Sequence, residues 1–215
     1  MRGTCREFEL QKLSALLTPM NGNPLNTALI ARQIGVSRPT ALSRVLALQR
    51  HGLLRLLPHF GGHSRPLIFL RNSYGVDSSS FRALCVEAVG TTLQLIDAEA
   101  QFFWWKTGRV RRIDLLATMQ ELRIGFCFSA PPLYRRKDWK PLLIGYDRGL
   151  IHRGFLLHGG SRAFGLGTAL QALPLRKFLE EPREWIFDRL TSRRASEAMR
   201  LINESAAALR LRAKA

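Results

Sequence analysis

Acidic residues are missing from a long stretch of this chain: none stands between Glu9 and Asp77. Cysteine is scarce, and Cys5, Cys85 and Cys127 are odd in number, widely spaced and without a CxxC pair. That argues against a disulfide framework or a zinc ribbon and for a reducing cytosol. No apolar run approaches the ~18 residues that cross a bilayer, and no signal peptide opens the chain. A cytoplasmic protein with no membrane partner is expected. The phosphate-cradling pattern GxxxxGK(S/T) is missing, and Gly159-Gly160 and Gly165-Leu166-Gly167 read as loop glycines, so ATP hydrolysis is not expected. The histidines His51, His59, His63, His152 and His158 lack the i,i+4 pairing and carboxylate spacing of a metal site. No nucleophile elbow is present. Neither a metal nor a cofactor is expected.

What the chain has is positive charge. Lys and Arg number 33 against 16 Asp and Glu, a formal net charge of +17. Such an excess implies a polyanionic partner, because solubility alone needs far less. Residues 1–75 hold ten basic residues against two acidic, whereas the rest of the chain mixes twenty-three with fourteen. A general bias toward Arg would not strip acids from one segment only.

Inside that segment lies the pattern of a winged helix-turn-helix. Glu7 to Leu17 reads as a helix with Phe8, Leu10, Leu13, Leu16 and Leu17 on its apolar face. Asn21 to Pro24 reads as a loop. Asn26 caps a second helix whose Ile30, Ala31 and Ile34 face inward, and Gly35 ends it in a left-handed conformation. Val36 plugs the turn, Ser37 caps a third helix, and Pro39 sits in its first turn, where a missing N–H costs nothing. Ala41, Val45 and Leu48 form the buried stripe of that helix. Ser37, Arg38, Thr40, Ser43 and Arg44 gather at its N-terminal end, the part that meets base edges and phosphates in such motifs. Leu53–Leu57 and Leu67–Arg71 are strand-like, and the stretch between them is long enough for a wing with His63, Ser64 and Arg65 at its tip, suited to the DNA backbone. Leu42 and Leu46 break the pattern: they are apolar at outward positions four apart, and are expected to pack on the second domain or on another subunit.

After a short polar linker at Tyr74–Ser80, a helix is expected from about Phe81 to Asp97, then strands at Gln101–Trp105, Arg111–Met119 and Leu122–Ser129. A helix over Lys137–Asp147, a strand at Gly154–His158 and a short strand at Ala169–Leu173 follow. The order α-β-β-β-α-β is the core of restriction-endonuclease-like folds. From Glu184 onward the chain reads as a basic helix with Ala195, Met199, Ile202, Ala206 and Leu209 in a stripe, able to pack on the body or pair with a second copy.

The run from Phe8 to about Leu179 resembles the C-terminal half of a family of prokaryotic AAA-type ATPases. The stretches that carry the likeness are Leu25-Asn26 through Gly35-Val36-Ser37-Arg38-Pro39-Thr40, Arg55 through Gly62, and Val86-Glu87-Ala88-Val89. It continues through Phe103-Trp104-Trp105, Arg112-Ile113-Asp114-Leu115-Leu116, Gly125-Phe126-Cys127-Phe128-Ser129 and Leu173 through Leu179. The resemblance implies a winged helix followed by a nuclease-like domain, here without the ATPase. Nuclease chemistry of that type needs an Asp on one strand and Glu-x-Lys on the next, to hold Mg²⁺ and activate water. Asp114 matches the Asp, but Cys127 and Ser129 stand where the Glu and Lys belong. Glu87 is a candidate leftover carboxylate, and Lys137 or Lys140 a candidate relocated lysine. Asp114 is expected to be a relic, satisfied by Arg111, Arg112 or Arg123.

The fold expected is therefore α+β: a winged helix-turn-helix domain over 1–75, a degenerate restriction-endonuclease-like domain over 80–182, and a basic C-terminal helix over 183–215. The function expected is that of a bacterial, regulatory reader of double-stranded DNA without enzymatic activity. The alternatives are a protein-interaction module, binding an ATPase, a toxin or itself through Leu42 and Leu46, and a metal-dependent nuclease with relocated ligands.

Overall fold

The computed structural model describes residues 12–62, 64–71, 78–107, 111–130, 136–167 and 169–188. The chain is α+β, built from helices around a two-stranded hairpin and a six-stranded mixed sheet.

The first unit opens with a helix, α1, whose described part is 12–17, running into a 3-10 turn at Thr18–Met20. Helix α2 (Thr27–Ile34) starts where Asn26 Oδ1 accepts the Leu29 N–H at 3.1 Å. It stops at Gly35, whose φ of 67° is the left-handed conformation that costs glycine least. Helix α3 (Arg38–Arg50) is capped by Ser37 Oγ, which accepts the Thr40 N–H, and Pro39 occupies its first turn. Ala41, Val45 and Leu48 of α3 are buried against Leu17, Ile30 and Ala31.

Strands β1 (Leu54–Leu57) and β2 (Leu67–Leu70) pair antiparallel, with Leu57 opposite Leu67. All four residues of β2 are buried because the hairpin serves two cores. Leu54, Ile68 and Leu70 face the helices, while Leu57, Leu67 and Phe69 join the larger core beyond. Asn21 to Pro24 is not the free loop its turn residues suggest. Gly22 N–H donates to Ile68 O at 2.7 Å, Ile68 N–H to Asn23 O at 3.1 Å and Leu25 N–H to Pro66 O at 2.8 Å. The segment lies along β2 as a third, irregular strand.

The second unit begins with α4 (Ser78–Ile96), so the expected linker is shorter than its composition suggests; 74–77 lie outside the described residues. Strands β3 (Gln101–Thr107), β4 (Arg111–Met119) and β5 (Leu122–Ser129) form an antiparallel meander. Helix α5 (Arg136–Asp147) then returns the chain so that β6 (Arg153–His158) runs parallel to β5. Strand β8 (Leu170–Pro174) is parallel to β6, and β7 (Phe164–Gly165), which sequence reasoning missed, pairs antiparallel on the outside. The order across the sheet is β3-β4-β5-β6-β8-β7.

Helix α4 and the short α6 (Leu175–Glu180) cover one face of the sheet through Val86, Val89, Leu93 and Phe178. Helix α5 covers the other through Leu142, against Ile113, Leu116 and Leu156. Close approach on that face requires Gly154, where a Cβ would sit 2.7 Å from Leu170 Cδ2 and 3.2 Å from Leu142 Cβ. Of the basic C-terminal helix expected from Glu184, the described part is a π-helical turn, Glu184–Asp188, with Trp185 and Ile186 buried in the main core. Its Ala195–Leu209 stripe lies outside the described residues.

The pairing of β3 with β4 shifts register once. Phe103 faces Leu116 and Trp105 faces Ile113, so Trp104 alone stands opposite both Asp114 and Leu115. This is a β-bulge, a device that redirects a side chain out of the alternation of its strand. Ile113 and Leu116 consequently share the α5 face, and Asp114 turns toward α4.

Candidate nucleic-acid interface and the Asp114 cleft

On α3, Arg38, Thr40, Leu42, Ser43 and Leu46 are exposed and Arg44 is half-buried. The helix packs on α2 and β1 through its opposite side. Leu42 and Leu46 therefore do not pack on the second unit as expected: they are 39% and 41% exposed. Beside them Ser43, Leu46, Gln49 and Arg50 line a shallow groove of about 610 Å³. Ser37 and Thr40 are committed to the cap, their hydroxyls bonded to each other at 2.8 Å. Their reach toward a ligand is correspondingly reduced, which leaves Arg38, Ser43 and Arg44 as the ready donors.

The wing expected after β1 is not free at its root. Trp104 N–H donates to Pro58 O at 2.9 Å, and Phe60 N–H donates to Trp104 O at 2.8 Å. His59 meets the Trp104 ring edge-on at 4.8 Å, and Phe60 meets Phe103 at 5.4 Å. The loop thus caps the exposed edge of β3, which would otherwise present unpaired backbone groups. The chain turns at Gly61-Gly62, both at positive φ, where Gly62 N–H donates to His59 O at 3.0 Å. Arg65 is exposed and Ser64 half-buried on the returning leg; His63 lies outside the described residues.

At the bulge, Asp114 is only 4% exposed. Its Oδ1 accepts Arg112 Nε–H at 2.9 Å and lies 3.0 Å from Arg82 Nε, a charge contact off the hydrogen-bond axis. Its Oδ2 accepts the Phe128 N–H at 3.1 Å. Of the arginines expected to satisfy it, Arg112 does. Arg123 instead donates to Gly149 O at 2.8 Å, and the side chain of Arg111 lies outside the described residues. The second partner, Arg82, was missed, yet its signal was present. Arg82, Val86, Val89 and Leu93 follow the stripe spacing of a helix, and a charge on such a stripe must meet a countercharge.

The other relic positions are dispersed. Cys127 is buried, its Sγ donating to Arg112 O at 3.6 Å. Burial first, and then the charge of Asp114, holds its thiol well above the ordinary range. A protonated thiol is no Mg²⁺ ligand. Ser129 is half-buried and bonds Ala130 O at 3.4 Å. Glu87, the candidate leftover carboxylate, is engaged elsewhere: it pairs with Arg55 Nε at 3.3 Å and Arg71 Nη2 at 3.0 Å, clasping the hairpin to α4. Lys137, by contrast, does line the cleft above Asp114, together with Lys106, Arg82 and Arg112; Lys140 is half-buried on α5 and does not line it. Among the described residues, no group of three or more His, Cys, Asp or Glu is placed to hold a metal ion.

No protein-family model matches the chain, and no curated protein matches it. Among solved structures, the crystal structure of protein VC1899 from Vibrio cholerae is similar over 83% of this chain, at 15% identity and a TM-score of 0.33. The chain spans about half of that protein, 52% of its length. A superposition that loose carries no inference about fold or function. Among the described residues, no helix is long and apolar enough to cross a membrane.

Proposed function

We propose that this chain is a cytoplasmic DNA-binding protein of the regulatory kind. A winged helix-turn-helix would dock α3 on double-stranded DNA, and a nuclease-like second domain would lack cutting activity. The observation that carries this reading is the uncovered outer face of α3, with Arg38 and Ser43 exposed and Arg44 half-buried, in a segment with no acidic residue from Leu10 to Val76. Capped helix ends and cationic side chains of this sort meet phosphates and base edges in a major groove. The lack of cutting is supported by Asp114, whose oxygens are taken by two guanidinium groups and a backbone N–H.

The test is equilibrium binding to random duplex DNA at two salt concentrations, with selection of the bound pool. Affinity should fall steeply with salt, with a log–log slope near −0.9 per phosphate contacted. Arg38→Ala with Arg44→Ala should cost roughly 2–4 kcal/mol of binding. An unchanged affinity in that double variant refutes the placement.

A protein contact is the second reading, favoured by one observation: Leu29, Leu42 and Leu46 are all more than a third exposed, on α2 and α3. The partner would be a second copy, an ATPase or a toxin. Self-association abolished by Leu42→Asp, with DNA affinity unchanged, would favour it.

A further inference from the structure

The cleft between the two units gathers charge that duplex docking on α3 does not use. It measures about 870 Å³, and its walls bring Arg82 from α4, Lys106 from β3, Arg112 from β4 and Lys137 from α5 around Asp114, with Asp138 at the rim. Four cations thus face two carboxylates. One of the two, Asp114, presents almost no surface to solvent. Its role is to hold two guanidinium groups, Arg112 by a hydrogen bond from Nε and Arg82 by a charge contact at 3.0 Å.

A guanidinium held through Nε keeps its Nη groups for other acceptors. Arg112 gives Nη1 to Gly22 O at 2.7 Å, which draws the first unit against the cleft. Among the described residues, neither Arg82 nor Arg112 pairs with a carboxylate other than Asp114. Arg112 Nη2 and the two Nη groups of Arg82 are the donors left over, and the ammonium groups of Lys106 and Lys137 add to them. The cleft opens where β3 and β5 finish and β4 begins, its strand residues being Trp104, Lys106, Arg112, Asp114 and Phe128. Its size suits a small ligand or a short stretch of chain.

We propose that this cleft is a metal-independent phosphate-binding site, in which Arg82, Arg112, Lys106 and Lys137 supply the positive charge that a divalent cation would otherwise bring. The shared chemistry is a phosphate oxyanion, carried by a single-stranded nucleic acid or by a free nucleotide. Planar guanidinium donors fit phosphate oxygens in pairs, and the two lysines act as mobile point charges. Asp114 takes part only through the arginines it fixes.

The experiment measures anisotropy of a short, fluorescent, 5′-phosphorylated single strand with the full chain in excess EDTA. The test variant is Lys106→Ala with Lys137→Ala, because both side chains are exposed and neither touches Asp114. The control removes the same charge from exposed α6, as Arg176→Ala with Lys177→Ala. The site predicts roughly tenfold weaker binding in the test variant and less than about twofold in the control. A 5′-mononucleotide competing as well as the strand assigns the site to free nucleotides; competition only by phosphorylated strands assigns it to nucleic acid. Equal losses in the two variants, competition by the bare nucleoside, or binding that appears only with Mg²⁺ would overturn the proposal.

Discussion

Replacing Asp114 by alanine tests whether the carboxylate is a structural anchor or a surviving metal ligand. In the folded protein it sits between Arg82 and Arg112, whose side chains are 31% and 22% exposed, and it accepts the Phe128 N–H. Removing it leaves two guanidinium groups facing a vacated position and one buried N–H without an acceptor. Breaking a buried ion pair by deleting one partner costs about 3–5 kcal/mol. An orphaned buried donor adds about 1–3 kcal/mol when it cannot reach water. The partial exposure of both arginines lets water resolvate them, so a total near 3–4 kcal/mol is expected, a large share of the ~5–15 kcal/mol typical of a domain.

Urea unfolding followed by tryptophan fluorescence reads this directly, since Trp104 packs beside the bulge and changes environment on unfolding. With a slope of ~1–3 kcal/mol per molar urea, the midpoint should fall by roughly 1–4 M. Arg82→Met and Arg112→Met added to Asp114→Leu should recover much of the loss, because a well-packed apolar set replaces a buried charge cluster at little cost. An Asp114→Ala midpoint indistinguishable from the parent's would refute the anchor reasoning. So would a midpoint that Mg²⁺ raises in the parent and leaves unchanged in the variant, which is the signature of a metal ligand.

Three further outcomes follow from other parts of the molecule. Glu87→Gln should cost about 1–2 kcal/mol by loosening its pairs with Arg55 and Arg71, discounted for the 43% exposure of Arg71. Gly90→Ala should reproduce part of that loss, because its Cβ would meet Arg55 Nη1 at 2.5 Å and push the guanidinium from Glu87. A double-mutant cycle should show the two losses overlapping; strict additivity would separate the glycine from the clasp. Cys127, held well above its usual range by burial, and Cys85, pushed up to about 12 by the same cause, should resist a thiol reagent near pH 8 until the chain unfolds. More than one fast-reacting thiol in native protein contradicts this.

Local patterns were legible in the sequence wherever one short segment determined the outcome. Asn26, Gly35, Ser37 and Pro39 mark the ends of α2 and α3 because capping is decided within four residues. Strands β4 and β5 fall at their expected bounds, since alternation and the Gln120-Glu121 turn suffice to define them. What escaped depends on partners far apart in the chain. The cap on β3 joins Pro58 and Phe60 to Trp104, and no local rule distinguishes a free wing from one held at its root. Asp114 was legible as an acid held by nearby arginines, but its partner Arg82 lies on another element, and a bulge invisible to simple alternation aims the carboxylate there. Glu87 reads as a spare carboxylate until the hairpin brings Arg55 and Arg71 to it.

These distant pairings also decide where the positive charge of the first unit is available. Arg55 and Arg71 face Glu87, so the acid missing from the segment itself is supplied across the unit boundary. Among the described residues, the other exposed cations of this unit are Lys12 on α1, Arg32 on α2, Arg38 and Arg50 at the two ends of α3, and Arg65 after the loop, with Arg44 half-exposed on α3. A duplex attracted by this unit would therefore meet α3 and its surroundings rather than the neutralised back of the hairpin. Because Leu57, Leu67 and Phe69 place that hairpin in the main core, the second unit would be held close to the docked helix. Orientation on DNA would then be set by the shared core and the Glu87 clasp, not by a flexible tether between separate domains.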